Sequence, residues 1–121
     1  MSTKKTLVIG ASENPARYSN LAVKRLTVNN HSVIALGKRT GHIGSIVIET
    51  EKKHFDNIDT VTLYLNAVLQ REYYDYILSL HPKRIIFNPG AENEELAALA
   101  QKNGIVAQEA CTLVLLSTGQ Y

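Results

Sequence analysis

Cysteine is almost missing from these 121 residues: Cys111 stands alone, so no intrachain disulfide can form and nothing points to an oxidising compartment. Long apolar runs are missing too, none approaching the ~20 residues of a membrane span. The opening stretch MSTKKTLVIGASENPAR places a brief apolar run after two lysines, too short for a signal-peptide core, and returns at once to polar sequence. A cytoplasmic, soluble chain with no membrane partner is the expectation. A large charge excess is absent as well. The net charge is +2, and lysine and arginine form no stripe interleaved with aromatics, so no nucleic acid partner is expected. With 45% apolar and 20% charged residues the composition is that of an ordinary globular protein. The length fits a single domain over residues 1–121 with a core of its own.

Catalytic patterns are equally sparse. His31, His42, His54 and His81 have no mutual metal-ligand spacing, and one cysteine cannot complete a zinc site, so no metal is expected. The clustered acids of a phosphoacceptor receiver domain are missing, because the first apolar run ends in Gly10-Ala11-Ser12. No Tyr-x-x-x-Lys pair is present. Glu94 and Glu95 fit first-turn carboxylates facing a helix dipole better than a general acid pair. Cys111 has no base beside it in sequence and defaults to a structural thiol; a mixed disulfide with a ligand thiol is the alternative.

What is present is an alternation. TLVIG (residues 6–10), SVIAL (32–36), TVTLYL (60–65), RIIF (84–87) and IVA (105–107) are short apolar runs that read as buried strands. Between them lie helix-periodic segments. One is expected from Ser19, with Ala22, Val23 and Leu26 on one face and Asn30 as a left-handed stop. A second follows Asn66, with Tyr73, Ile77 and Leu80 on one face, and ends at His81-Pro82. A third is capped by Asn93 and stopped by Gly104. CTLVLLST (111–118) closes as a helix, and the apolar end CTLVLLSTGQY fits either packing on a second copy, giving a homo-oligomer, or closing the edge of the chain's own sheet. GKRTGHIGS (37–45) reads as a loop, IVI (46–48) as a short extra strand, and ETEKKHFDN (49–57) as a turn or a single helical turn. Strands alternating with helices imply right-handed crossovers. The expected fold is α/β, a small doubly wound, Rossmann-like parallel sheet of about five strands with helices on both faces.

In such a sheet ligands bind outside the carboxyl ends of the strands. The first of these ends is GASENPARYS. Gly10, Ala11 and Ser12 are small enough for close backbone approach to an anion, and a helix opening at Ser19 offers unpaired N–H groups and a positive dipole end. Arg17 adds a cation. The same loop also fits a plain turn, since the full G-x-G-x-x-G fingerprint is absent. After the second strand come Gly37, Lys38 and Arg39, where an NAD-binding fold carries an acid for the ribose hydroxyls. Two cations there favour a ribose that carries a phosphate, as in NADP or coenzyme A.

LVIGASENPARYSNLAVKRL, HSVIALGK and RIIFNPGAENEELAALAQKNGI together resemble the small stand-alone CoA-binding domain family. Its members are Rossmann-like and similar to the amino-terminal domain of the succinyl-CoA synthetase alpha subunit. The resemblance implies that Ser12, Glu13, Asn14 and Pro15 lie along the CoA phosphates, with Arg17 and Ser19 nearby. It also implies that Lys38 follows the second strand as a ligand lysine, and that Phe87, Asn88 and Pro89 meet the ligand at the fourth strand end. There are departures: Leu36-Gly37-Lys38-Arg39 replaces an Asn-Pro strand end, Thr40 to Asp59 matches poorly, and no arginine or asparagine precedes Cys111. Nothing here matches the synthetase domain that carries a phosphorylated histidine, so ligase chemistry is not implied. The expectation is a non-catalytic module for coenzyme A or an acyl-CoA, a small-molecule nucleotide ligand. The alternatives are a minimal NADP-binding reductase and an interaction domain with a vestigial site.

Overall fold

Four-residue apolar runs are too short for helices and need partners on both sides. The computed structural model describes residues 3–121 and places them in one mostly parallel sheet. In chain order the strands are β1 (Thr6–Ile9), β2 (Val33–Leu36), β3 (Gly41–Ile43), β4 (Ile46–Glu49), β5 (Thr60–Leu63), β6 (Arg84–Phe87) and β7 (Val106–Glu109). The helices are α1 (Tyr18–Val28), α2 (Ala67–Gln70), α3 (Tyr74–Leu80), α4 (Glu94–Lys102) and α5 (Thr112–Ser117), with a 3₁₀ turn over Arg71–Tyr73 joining α2 to α3.

Local chemistry sets the helix ends. Asn66 Oδ1 accepts from the Leu69 N–H, and Asn93 Oδ1 accepts from the Leu96 N–H, so both asparagines cap as expected. Asn30, His81 and Gly104 take positive φ and end their helices there. Helix α1 starts one residue before Ser19. Arg17 occupies the cap position, and Ser19 is buried inside the first turn.

The strand order is β3-β4-β2-β1-β5-β6-β7. Seven strands replace the expected five or so, and the difference lies largely in residues 41–49. There β3 and β4 form an antiparallel hairpin, and β4 pairs parallel to β2, so GKRTGHIGS is strand in part and not all loop. In ETEKKHFDN, Glu49 closes β4 and Asp56-Asn57 form a turn, and no residue is helical. Alternation along the strands splits the core. Leu7, Ile9, Val61, Leu63, Ile85 and Phe87 pack under α3 and α4, while Val8, Ala35 and Ile48 pack under α1. The apolar 111–118 segment folds back as α5 on its own sheet, burying Thr112 and Leu115. No helix of the described residues is long and apolar enough to cross a membrane.

Tyr121 returns to the opposite end of the sheet from the strand carboxyl ends. Its hydroxyl lies 2.6 Å from Thr6 Oγ1, its ring meets His31 edge-on at 4.8 Å, and the Arg84 guanidinium sits 4.6 Å from its centroid. His31 Nδ1 accepts from the Lys4 backbone N–H at 2.9 Å, which requires that nitrogen unprotonated. Burial, then the charges of Lys4 and Arg84, hold the His31 imidazole below its ordinary value of 6.5. The unfolded chain therefore takes up this proton more readily than the folded one. The stabilisation is complete above pH 6.5 and is lost as pH falls below it. Urea midpoints at pH 7.5 and 5.5 are expected to drop more in the parent than in His31→Asn; equal drops would refute the assignment.

Candidate functional site

Strand β1 lies between β2 and β5, so the chain leaves β1 toward one side and later returns on the other. This is the switch point at which a crevice opens. A cleft of about 630 Å³ lies there, over the ends of β1, β2, β5 and β6. Two glycines permit it. Gly10 has φ +95°, and a Cβ on it would stand 3.1 Å from the Tyr64 carbonyl carbon and oxygen, so the turn out of β1 excludes side chains. Gly37 has ordinary φ, but its missing Cβ would overlap the Ala11 carbonyl oxygen. That vacancy lets the end of β2 close against the first loop and brings Lys38 to the cleft wall.

The near wall comprises Gly10, Ala11, Ser12, Ala16, Arg17, Tyr18 and Ser19, with Lys38 beside them. The loop orders itself. Asn14 donates its N–H to Ser12 Oγ, Asn14 Oδ1 accepts from the Ala16 N–H, and the Asn14 carbonyl accepts from the Arg17 N–H. Asn20 Nδ2 donates to the Ser12 carbonyl at 2.9 Å, fastening the loop to the first turn of α1. Helix α1 has no side-chain cap and no acid in its first turn, so its positive end is not neutralised by its own residues.

The far wall is Tyr64, Leu65, Asn66 and Leu69 after β5, then Pro89, Gly90 and Ala91 after β6. It is largely apolar. The Tyr64 hydroxyl is buried without a partner among the described residues, and burial pushes its ionisation well above the ordinary phenol value. Among the lining residues the only charged side chains are Arg17 and Lys38, and none is acidic. The lining is thus cationic at one end and largely apolar at the other.

The structure brings together seven of the residues singled out from sequence, namely Gly10, Ala11, Ser12, Arg17, Ser19, Lys38 and Pro89. The other six lie off the lining. Glu13 turns away to the hairpin, where its Oε2 accepts from the His42 N–H at 2.9 Å and its carboxyl occupies the space a Gly41 Cβ would need. Asn14 and Pro15 are exposed on the outer side of the loop, and Arg39 is exposed beyond Lys38. Phe87 is buried in the core under α3 and α4. Asn88 is buried, its Nδ2 donating to Thr62 Oγ1 and the Leu63 carbonyl and its Oδ1 accepting from the Thr112 N–H, a joint between β5, β6 and α5. Cys111 is a half-buried free thiol at the start of α5. Sequence reading missed Ala16, Tyr18 and most of the far wall, of which it named only Pro89. The strand-end rule marks the loops after β5 and β6, but Tyr64, Leu65 and Leu69 look like ordinary core residues.

A mostly parallel sheet with its crevice at the switch point, an uncapped helix end and two cations beside it defines a Rossmann-like domain with a cleft whose charged lining is cationic. Family comparison is more particular: the model of the CoA binding domain matches residues 4–117, and the chain belongs to that family. Among solved structures, a crystal structure of an uncharacterized protein is 45% identical, with each chain covered over 100% and a TM-score of 0.98. A hypothetical protein from Pyrococcus horikoshii OT3 is 23% identical over 96% of this chain and 83% of its own, with a TM-score of 0.84. A Thermus thermophilus protein, cell-free ID.343, is 14% identical over 98% and 91%, with a TM-score of 0.85. The latter two are likenesses of fold. No curated protein matches the sequence significantly.

Proposed function

We propose that this chain binds coenzyme A or an acyl-CoA in the switch-point cleft, as a module that holds the ligand without turning it over. Family membership supports the ligand class. The observation that carries the reading is the charge pattern of the lining: Arg17 and Lys38 flank the uncapped α1 end, with no carboxylate opposite them. The pyrophosphate fits the amides of the Gly10–Ser19 loop and the α1 dipole. A ribose phosphate fits Lys38, which stands where an NAD site would need an acid. The pantetheine arm, apolar apart from its amides, fits the wall of Tyr64, Leu65 and Leu69.

Calorimetric titration with CoA, dephospho-CoA and NADP tests it. CoA is expected to bind at least ~10-fold more tightly than dephospho-CoA, the scale of one charge-assisted contact. Acetyl-CoA is expected to bind and to keep its thioester over hours. Binding of NADP with none of CoA would replace this reading with the reductase, and binding of neither would leave a vestigial interaction domain.

A further inference from the structure

Two loops make the far wall of the cleft, one after β5 and one after β6. Beyond the last β5–β6 pair, Leu63 with Phe87, no backbone hydrogen bond joins them among the described residues. A side chain joins them instead. Gln70, the last residue of α2, is fully buried. Its Nε2 donates to the Leu65 carbonyl at 2.7 Å and to the Ala91 carbonyl at 2.8 Å. Its Oε1 accepts from Asn93 Nδ2 at 2.9 Å, and that same nitrogen donates to Tyr74 Oη at 2.8 Å. Leu65 and Ala91 both line the cleft. Asn93 meanwhile caps α4 through its Oδ1.

A buried amide is unfavourable unless satisfied, and an aliphatic side chain would fill the space without that requirement. Only a primary amide donates twice and accepts once in this arrangement. We propose that Gln70 is a positioning residue for the cleft. Its amide, oriented by Asn93, clamps the two far-wall loops at a fixed separation and so presets the wall on which the ligand's arm lies. The clamp stands on geometry alone, and its consequence for affinity rests on the CoA reading above.

Amide exchange by NMR and calorimetry together test it. In Gln70→Leu the shape is roughly kept and both donors are lost. Protection of the amides at Leu65–Leu69 and Ala91–Asn93 is expected to fall by about 10-fold or more, while the Gly10–Ser19 loop and the central strands keep theirs. CoA affinity is expected to fall about 10-fold with the CoA to dephospho-CoA ratio unchanged, because Lys38 acts at the other end. Asn93→Asp is the second variant, useful if Gln70→Leu folds poorly. Its carboxylate still caps α4 but offers Gln70 Oε1 no donor, so the same loops should loosen while α4 amides stay protected. Protection unchanged in both loops, or lost evenly over the whole sheet, would overturn the clamp. A parent protein that binds no CoA would remove the ligand reading and leave the exchange data to decide the clamp by itself.

Discussion

Lys38→Ala is expected to weaken CoA binding by roughly 10- to 100-fold, the range of a lost hydrogen bond to a charged group. Dephospho-CoA should lose far less, so the preference for CoA collapses. Arg39→Ala is expected to change either affinity by less than about 3-fold, the scale of a screened surface charge. The two cations are neighbours in sequence, both exposed, yet only Lys38 faces the cleft. Calorimetry on the two variants separates a cleft lysine from a generally basic corner. Equal losses in both would mean that the ligand spreads over the hairpin side, and no loss in Lys38→Ala would take the ribose phosphate away from this loop.

Gly37→Ala is expected to cost both stability and binding. An added Cβ would overlap the Ala11 carbonyl oxygen and come within 3.1 Å of Ile48 Cγ2. The first obstacle is backbone, which cannot rotate aside, so the β2 end must withdraw from the first loop. Overpacking of this kind costs about 1–3 kcal/mol, or roughly 4–12 °C in melting temperature for a domain of this size. Lys38 would retreat with it, and CoA affinity should fall by an order of magnitude or more. Gly44→Ala is the control. Its site is open, and only the left-handed backbone at φ +60° is penalised, by about 1–2 kcal/mol. A Gly44→Ala protein that is destabilised yet binds normally, beside a Gly37→Ala protein that does not bind, shows that close approach of two loops builds the cleft. Normal binding by Gly37→Ala would show that the contact is dispensable.

Much of the fold was legible in the chain. Asn66, Asn93, Asn30, His81 and Gly104 act on backbone groups within four residues, so their roles follow from local hydrogen-bonding reach and allowed φ. The apolar runs at Thr6–Ile9, Thr60–Leu63 and Arg84–Phe87 are strands because both faces of a parallel sheet are covered. The β3–β4 hairpin was not legible as such. Gly41-His42-Ile43 has little β-propensity, and what makes it a strand is pairing with β4 and the carboxylate of Glu13 on the His42 amide. Glu13 itself looked like part of a phosphate loop; its partner lies 29 positions away, beyond any sequence rule.

For the cleft, the wall that carries Arg17 and Lys38 was readable because most of it sits in one stretch, Gly10 to Ser19, with Lys38 directly after the next strand, although Glu13, Asn14 and Pro15 lie off the lining. Of the apolar end only Pro89 was read, since Tyr64, Leu65 and Leu69 look like core residues until the loops after β5 and β6 are brought side by side.

The sequence alone determined most of the strand and helix segments, β3 apart, where α1, α3 and α4 stop, and that cations follow the first two strands, because those outcomes depend on forces acting within a turn or two of chain. Only the tertiary structure decided that Lys38 and not Arg39 enters the cleft, that Glu13 serves the hairpin, and that Gln70 ties the far wall together. Those depend on strand order and register, which bring residues tens of positions apart within hydrogen-bonding distance.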